Sequence, residues 1–219
     1  MTLNCKSQST INEDLKKQLE QIVFVDQIYR EFIDNNTTQA RREEIAKLTN
    51  NTTENLYQNV FKIIEQNDKT NFEKVEKIVE KYGYPGKELV GEKLSNAVWY
   101  VIQHSKLPII EKYFPLMIKA QENGDLSKQQ IAMMKDRMLM YQGKEQIYGT
   151  QGAGRLFVNP ETKKEEWTNF IWPIENPEKV NELRTSMDIK MSIEEYAKSM
   201  GIDYSKKYTL KEIEKLTKK

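Results

Sequence analysis

Apolar residues recur every three to four positions over much of the chain, which is the spacing of one face of an α-helix. Such series run over residues 15–34, 41–66, 71–82 and 92–106, and the last of these is the most apolar. The polar residues 50–52 mark a point at which the second series could break. The pattern predicts that the first half of the chain is helical.

Several predicted helices start at side chains that can accept a hydrogen bond from a free backbone N–H group. Thr10 with Glu13, and Ser192 with Glu195, have the spacing of a capping box. Ser127 stands directly before another apolar series and is a suitable N-cap. These residues predict where three of the helices begin.

The second half of the chain changes character after residue 141. Helical spacing continues over 109–123 and 127–141, whereas residues 155–158 and 165–171 flank the polar segment 159–162. Two short apolar runs around a polar turn are typical of a β-hairpin. Three short helices are then predicted to close the chain, after Pro177, Ser192 and Thr209.

These elements predict a mainly α fold class. No internal repeat and no low-complexity linker divides the chain. We therefore expect a single helical domain over residues 11–219, with a small β-hairpin or irregular insert near residues 147–172.

Composition limits the possible partners. Hydrophobic residues make up 38% of the chain and charged residues 31%, which is consistent with amphipathic helices whose outer faces are solvated. Lys and Arg number 34 and Asp and Glu 33, so a basic nucleic-acid-binding surface is not expected. No apolar run approaches the roughly 20 residues of a membrane-spanning helix. We expect neither a nucleic-acid partner nor a transmembrane span.

Cys5 is the only cysteine, so an internal disulfide cannot form and a cysteine-based metal site would lack partners. Residues 1–8 resemble the end of a bacterial lipoprotein signal followed by its lipidated cysteine, with residues 1–10 as a tether or trimmed signal remnant. The protein would then lie in the cell envelope and contact a membrane only through Cys5. The alternative is an incidental thiol in a cytoplasmic protein.

His104 is the only histidine of the chain. Imidazole is the side chain whose usual pKa lies closest to neutrality, which suits a general acid or base. His104 lies late on the most apolar predicted helix, directly after Gln103. The alternative is a buried histidine that only makes structural hydrogen bonds.

Asp136 and Arg137 are adjacent charged residues in an otherwise apolar predicted helix. Burying charges without partners costs several kcal/mol, so each of them needs one. Asp136 could orient an imidazole, and Arg137 could bind a carboxylate or phosphate through two parallel hydrogen bonds. A salt-bridged scaffold is the alternative.

Residues 146–151 combine uncharged side chains that can bind a ligand with a glycine at position 149. The candidates are Gln146, Tyr148, Thr150 and Gln151. The glycine-containing run 149–154 lacks the Lys-Ser/Thr of a P-loop, and by itself it indicates a turn. One histidine and no spaced carboxylates argue against a metal site, and we expect no metal and no cofactor.

An ordered series of short motifs carries a family resemblance. The series is Lys81-Tyr82-Gly83-Tyr84-Pro85-Gly86, Leu89-Val90-Gly91, Ala97-Val98-Trp99, Gln103-His104, Asp136-Arg137, Gly143-Lys144 and Gln146-Ile147-Tyr148-Gly149-Thr150-Gln151. It resembles the bacterial domain of unknown function 6624 over about residues 15–196, with weaker matches at Asp26-Gln27, Arg30, Pro173–Pro177 and Arg184. The resemblance implies a bacterial helical domain with a small β insert, and no established activity. Ser105-Lys106 departs from the Ala-Asp that members often have there.

We therefore predict a pocket formed by the His104 helix, the Asp136 helix and the loop 148–151. His104 would be a general acid or base within reach of Asp136 or a ligand, and Arg137, Arg30 and Arg184 would hold an anionic group. The side chains expected to orient the ligand are Gln103, Gln146, Thr150 and Gln151. The reaction would be hydrolysis or group transfer on a small polar or anionic molecule.

The rival hypothesis is a non-catalytic binding or scaffold domain, tethered at the envelope through Cys5. Its polar motifs would form a buried hydrogen-bond network that fixes the packing of the helices. The sequence leaves open whether the protein is an enzyme.

Overall fold

The computed structural model describes residues 11–159 and 162–217. Cys5 and the predicted tether 1–10 lie outside the described residues, as do Pro160 and Glu161 of the predicted hairpin turn.

The described chain is mainly α-helical and contains a two-stranded antiparallel hairpin, which confirms the predicted fold class. The helices are α1 (Glu13–Ile33), α2 (Gln39–Leu48), α3 (Thr53–Tyr82), α4 (Lys87–Val90), α5 (Ala97–Gln103), α6 (Leu107–Glu122), α7 (Lys128–Tyr141), α8 (Val180–Ser186), α9 (Ile193–Ser199) and α10 (Leu210–Leu216). The strands are β1 (Gly152–Val158) and β2 (Glu165–Ile171). Within the described ranges, no helix combines the length and apolar character needed to cross a membrane.

The chain forms two compact units. Unit 1 comprises Met1–Ile109 and Glu122–Leu126, and unit 2 comprises Ile110–Gln121 and Ser127–Lys219. The helix α6 contributes residues to both. The single domain expected over residues 11–219 stays a prediction.

In unit 1, α1, α2 and α3 share a hydrophobic core. Its buried members are Ile28, Phe32, Ile45, Ala46, Leu56 and Val60. The side chains of Asn12, Thr38 and Thr52 cap the three helices by accepting a hydrogen bond from a free backbone N–H group. Because Asn12 caps α1, the predicted capping box at Thr10 is wrong; Thr10 itself lies outside the described residues.

The helix α3 is continuous, which corrects the prediction of separate helices over 41–66 and 71–82. The predicted helix over 41–66 does break near residue 50, between α2 and α3. The second break is absent because the polar residues there have partners on α1. Asp68 accepts hydrogen bonds from Arg30, and Asn71 donates one to the Ile22 carbonyl oxygen.

In unit 2, the predicted start signals of α7, α9 and α10 are confirmed. Ser127, Ser192 and Thr209 each form a capping box with the residue three positions later. The buried core around α8 and α9 contains Ile171, Val180, Ile193, Ala197 and Ile202.

The hairpin of unit 2 is longer than predicted, because β1 begins at Gly152 rather than at residue 155. Gly152 lies opposite Ile171, and Val158 lies opposite Glu165. A Cβ on Gly154 would lie 2.5 Å from the Trp167 ring, so a glycine is needed where that ring crosses the strand. The hairpin packs against α10 through Phe157, Phe170, Trp172 and Ile213.

Candidate functional site

The Asp136 carboxylate of unit 2 organises the turn 147–150. Asp136 is fully buried, and its oxygens accept hydrogen bonds from the backbone N–H groups of Ile147, Tyr148 and Thr150 at 2.8–3.1 Å. The Thr150 hydroxyl donates a further bond at 3.0 Å. Burial raises the pKa of Asp136, while the bonds from Thr150, Ile147 and Tyr148 act in the opposite direction. This carboxylate therefore holds the turn in shape.

Two glutamine side chains complete the hydrogen bonding of this turn. Gln146 is fully buried; its amide group donates to the carbonyl oxygens of Gln151 and Trp172 and accepts from the Gln151 N–H. The Gln151 side chain donates to the Met133 and Thr150 carbonyl oxygens, and Arg137 Nε donates to it at 3.1 Å. These glutamines bind backbone groups of the chain itself.

Arg184 on α8 carries a positive charge into the interior of unit 2. It is 2% exposed, and its Nε donates to the Met191 carbonyl oxygen at 2.7 Å. Its Nη1 donates to the carbonyl oxygens of Tyr148 and Gly149 at 2.9 and 3.2 Å. Within the described part of the chain, Arg184 makes no ion pair with a carboxylate. Burial lowers the pKa of Arg184, because the guanidinium loses hydration.

A cavity of about 450 Å³ lies beside Arg184 in unit 2. Thr150 from the Asp136 turn and Tyr196 from α9 also line it. The Tyr196 hydroxyl donates to the Thr150 carbonyl oxygen at 2.7 Å, and the Tyr196 ring lies 5.3 Å from the Arg184 guanidinium. The remaining lining residues are Gln129, Met133, Asp188, Ile189, Lys190, Met191 and Ser199.

In unit 1, a second buried carboxylate lies on α1. Asp26 is fully buried, and Gln27 Nε2 donates to its Oδ2 at 2.5 Å. Arg30 Nη1 lies 3.6 Å from Asp26 Oδ1, while Arg30 Nη2 donates to both oxygens of Asp68 at 2.7 and 2.8 Å. Burial raises the pKa of Asp26, and the Arg30 charge acts in the opposite direction.

His104 lies beside Asp26 at the end of α5. Its Nε2 is 3.8 Å from Asp26 Oδ2, and its side chain is 19% exposed. Gln103, the last residue of α5, is buried. Two acceptor atoms of unit 1, Asp26 Oδ1 and Asn71 Oδ1, are buried and have no hydrogen-bond partner among the described residues. Within the described part of unit 1, His104 thus has the Asp26 carboxylate as a neighbour.

The predicted site residues fall into two groups. Unit 1 contains His104, Gln103 and Arg30, and unit 2 contains Asp136, Arg137, Gln146, Tyr148, Thr150, Gln151 and Arg184. His104 belongs to unit 1 and Asp136 to unit 2, so a pocket that combines them stays a prediction. The role predicted for Cys5 lies outside the described residues.

Asp26 and Tyr196 were missed as site residues. The signal for Asp26 was present, because Asp26, Gln27 and Arg30 interrupt an otherwise apolar helical series. Tyr196 gave no signal of its own, since one aromatic residue on a short amphipathic helix is equally typical of a core position.

The fold and these clusters define a mainly α-helical protein with a buried polar cluster in each of two units. A family described as "Family of unknown function (DUF6624)" matches residues 26–209, and the chain belongs to this family. Asp26 is the first residue of the match, and His104, Asp136 and Arg184 lie within it. Comparison with curated proteins finds no match, and neither does comparison with solved structures.

Proposed function

We propose that this protein binds a small anionic molecule in the cavity beside Arg184. The observation that carries the proposal is a buried guanidinium that lines a cavity and makes no ion pair within the described residues. A buried charge that forms no ion pair is costly, and a bound anion would offset that cost.

The hydrogen bonds of Arg184 support an anion contact. They leave from Nε and Nη1, so the two N–H groups of Nη2 can donate to a carboxylate or phosphate. Lys190 also lines the cavity and adds a second positive charge. The negative charge of Asp188, which lines the cavity too, is paired with Lys128 Nζ at 3.7 Å. Met133 and Ile189 form an apolar part of the cavity wall, so the ligand would be an anion that also carries an apolar group.

The test uses inorganic phosphate and acetate as phosphate and carboxylate probes. We expect at least one of them to raise the melting temperature of the unaltered protein and of Arg155→Gln, because Arg155 lies in the same unit and is exposed. Neither probe should stabilise Arg184→Gln. Because Arg184 also bonds three backbone carbonyls, this variant will be less stable in itself, so its own melting temperature without probe is the reference.

A second measurement avoids the substitution. The Nε–H signal of Arg184 in nuclear magnetic resonance spectra of the unaltered protein should move on addition of the anion. Phosphate and acetate that change neither this signal nor the melting temperature would contradict the proposal.

A second candidate function is hydrolysis or group transfer on a small polar molecule, with His104 as general acid or base. The observation that favours it is the Asp26 carboxylate 3.8 Å from a partly exposed imidazole. Phosphate and carboxylic esters are suitable test substrates. His104→Gln should abolish any turnover found, while Arg155→Gln should leave it unchanged.

The non-catalytic scaffold remains the rival, and the four donors on Asp136 support it for unit 2. If Asp136→Asn lowers the melting temperature strongly and no anion or ester is bound or turned over, the polar motifs serve folding alone. An envelope lipoprotein is a separate proposal. Mass spectrometry of the native N-terminal peptide would reveal an acylated Cys5, and an unmodified thiol would contradict it.

A further inference from the structure

We infer that Asp26 is the positioning residue of His104, and that its carboxylate stabilises the imidazolium formed when His104 takes a proton from a ligand. This inference rests on the proposed acid–base role of His104. It replaces Asp136, the partner that the sequence suggested, with a carboxylate of unit 1.

The geometry of unit 1 points to Asp26. Asp26 Oδ2 lies 3.8 Å from His104 Nε2, and Gln27 Nε2 holds the same oxygen at 2.5 Å. The carboxylate is fully buried whereas the imidazole is 19% exposed. A fixed interior carboxylate behind an imidazole that reaches the surface is the arrangement in which an acid orients a histidine for proton transfer.

The two buried carboxylates, Asp136 and Asp26, also differ in how many of their oxygens already accept hydrogen bonds. Both oxygens of Asp136 are occupied by donors from the turn 147–150. Asp26 Oδ1, in contrast, is buried without a hydrogen-bond partner among the described residues, and Arg30 Nη1 lies 3.6 Å from it. Asp26 can therefore still stabilise an added positive charge, whereas the oxygens of Asp136 are occupied by the hydrogen bonds that hold its own turn.

The charges around the pair favour a protonated His104. The charged groups come from two helices: Asp26 and Arg30 lie on α1, and Asp68 lies on α3. His104 follows the last residue of α5 as its C-cap. The uncharged polar residues on α1 and α3 are Gln27 and Asn71. Among these described groups, Asp26 and Asp68 carry two negative charges when both are ionised, and Arg30 carries one positive charge. Protonation of His104 makes the cluster neutral, and a neutral cluster is cheaper to bury.

The proton transfer needs no further reactant. An O–H or N–H bond of the ligand breaks, its electron pair stays on the ligand atom, and the proton bonds to the imidazole. Nothing is oxidised or reduced. Asp26 takes no proton in this step and supplies only the compensating charge.

The test follows the only histidine of the chain through its imidazole C–H signals in nuclear magnetic resonance spectra, using protein without a polyhistidine tag. We expect the titration midpoint of the unaltered protein to lie above the usual value of about 6.5. Asp26→Asn should lower the midpoint by about one pH unit, since it removes the negative charge 3.8 Å from His104 Nε2. Asp136→Asn is the matched control, because it makes the same chemical change at another fully buried carboxylate, and it should leave the midpoint unchanged.

An unchanged or raised midpoint in Asp26→Asn overturns the inference, and so does an equal fall in Asp136→Asn. If Asp26→Asn does not fold, a measurement on the unaltered protein tests the inference instead. The chemical shift of the Asp26 carboxyl carbon should then change in a step at the His104 midpoint, and the absence of this step would also overturn the inference. The titration needs neither ligand nor turnover. A failure of the proposed reaction would therefore show as absent ester turnover with the titration intact.

Discussion

At the scale of single residues, Gly149 occupies a position that leaves no space for a side chain. Its φ is +65°, and a Cβ there would lie 2.6 Å from Ile193 Cδ1 and 3.0 Å from Ile174 Cδ1. The Gly149 carbonyl oxygen also accepts a bond from Arg184. The turn can therefore approach the core and the guanidinium only because this residue is glycine.

We predict that Gly149→Ala lowers the free energy of unfolding by about 2–4 kcal/mol, because it adds overpacking to the cost of a positive φ. Urea denaturation measures this. Gly143→Ala is the control: its φ is +69°, but nothing lies within 4 Å of an added Cβ, so only the backbone cost of about 1 kcal/mol applies. Equal losses in the two variants would show that the contact with Ile193 has no effect.

The buried Asp26 makes stability depend on pH. Its pKa is raised by burial, so the folded chain keeps this proton in a range where the unfolded chain, with a pKa of about 3.9, has lost it. The stabilisation is present below that value and is lost as the pH rises through the folded-state pKa. We predict that the stability of the unaltered protein relative to Asp26→Asn falls as the pH is raised from about 4 to 8.

Urea midpoints of the two proteins at each pH measure this difference. Asp203 is the control of opposite sign, because a bond from the Ser205 hydroxyl lowers its pKa. Its contribution is present above the unfolded pKa and is lost on acidification, so the stability relative to Asp203→Asn should rise with pH over the acidic range. A difference for Asp26 that stays flat or rises would refute the prediction.

Residues whose role depends on near neighbours in sequence were the predictable ones. The N-cap at Ser127 and the capping box at Ser192 depend only on residues within three positions, and both were predicted correctly. The cap of α1 was assigned to Thr10, although Asn12 offers a competing oxygen two residues later. The partner of His104 could not be predicted, because Asp26 lies far away in sequence and meets it only through the packing of α1 against α5.

At the scale of elements, the polar segment around Asp68 illustrates how tertiary contacts override a local pattern. The apolar series is interrupted between Ile64 and Phe72, which indicated a break, yet α3 runs from Thr53 to Tyr82. Asp68 lies in that interval and faces Arg30 on α1. Polar residues inside a helix are stable where a neighbouring helix supplies their partners, and a single sequence does not reveal those partners.

We predict that Arg30 and Asp68 couple α1 to α3 by about 1 kcal/mol. The bond pair involves both oxygens of Asp68, and the side chains are 19% and 25% exposed, so it should exceed a surface pair. A double-mutant cycle with Arg30→Gln and Asp68→Asn, followed by urea denaturation, measures the coupling. Lys16 and Glu13 form an exposed control pair at 3.4 Å and should couple by only ~0.3 kcal/mol. Coupling no larger than in the control pair would contradict the prediction.

At the scale of the whole molecule, fold class was more predictable than the site. Helical periodicity and the turn at 159–162 sufficed for a mainly α fold with a hairpin, because both are local properties. The site depends on which buried polar groups meet. Arg184 shows the difference: the sequence marked it as an anion contact, but its burial beside a cavity follows from the packing of α8 and α9.

The whole chain should unfold as one cooperative domain even though it forms two compact units. The helix α6 contributes residues to both units, and Glu122–Leu126 returns the chain to unit 1 after Ile110–Gln121 has joined unit 2. Because helix formation is cooperative along the chain, melting either unit removes neighbours from a helix that the other unit also needs.

We predict coincident unfolding midpoints for the two units. Labelling with 5-fluorotryptophan gives a separate fluorine signal for each tryptophan, and Trp99 reports on unit 1 while Trp172 reports on unit 2, both of them buried. The signal that disappears in Trp167→Phe belongs to Trp167, the third tryptophan, which is exposed. In a urea titration the Trp99 and Trp172 signals should disappear at the same concentration. Two separate midpoints would mean that the units are independent domains, and that the continuity of α6 does not couple them.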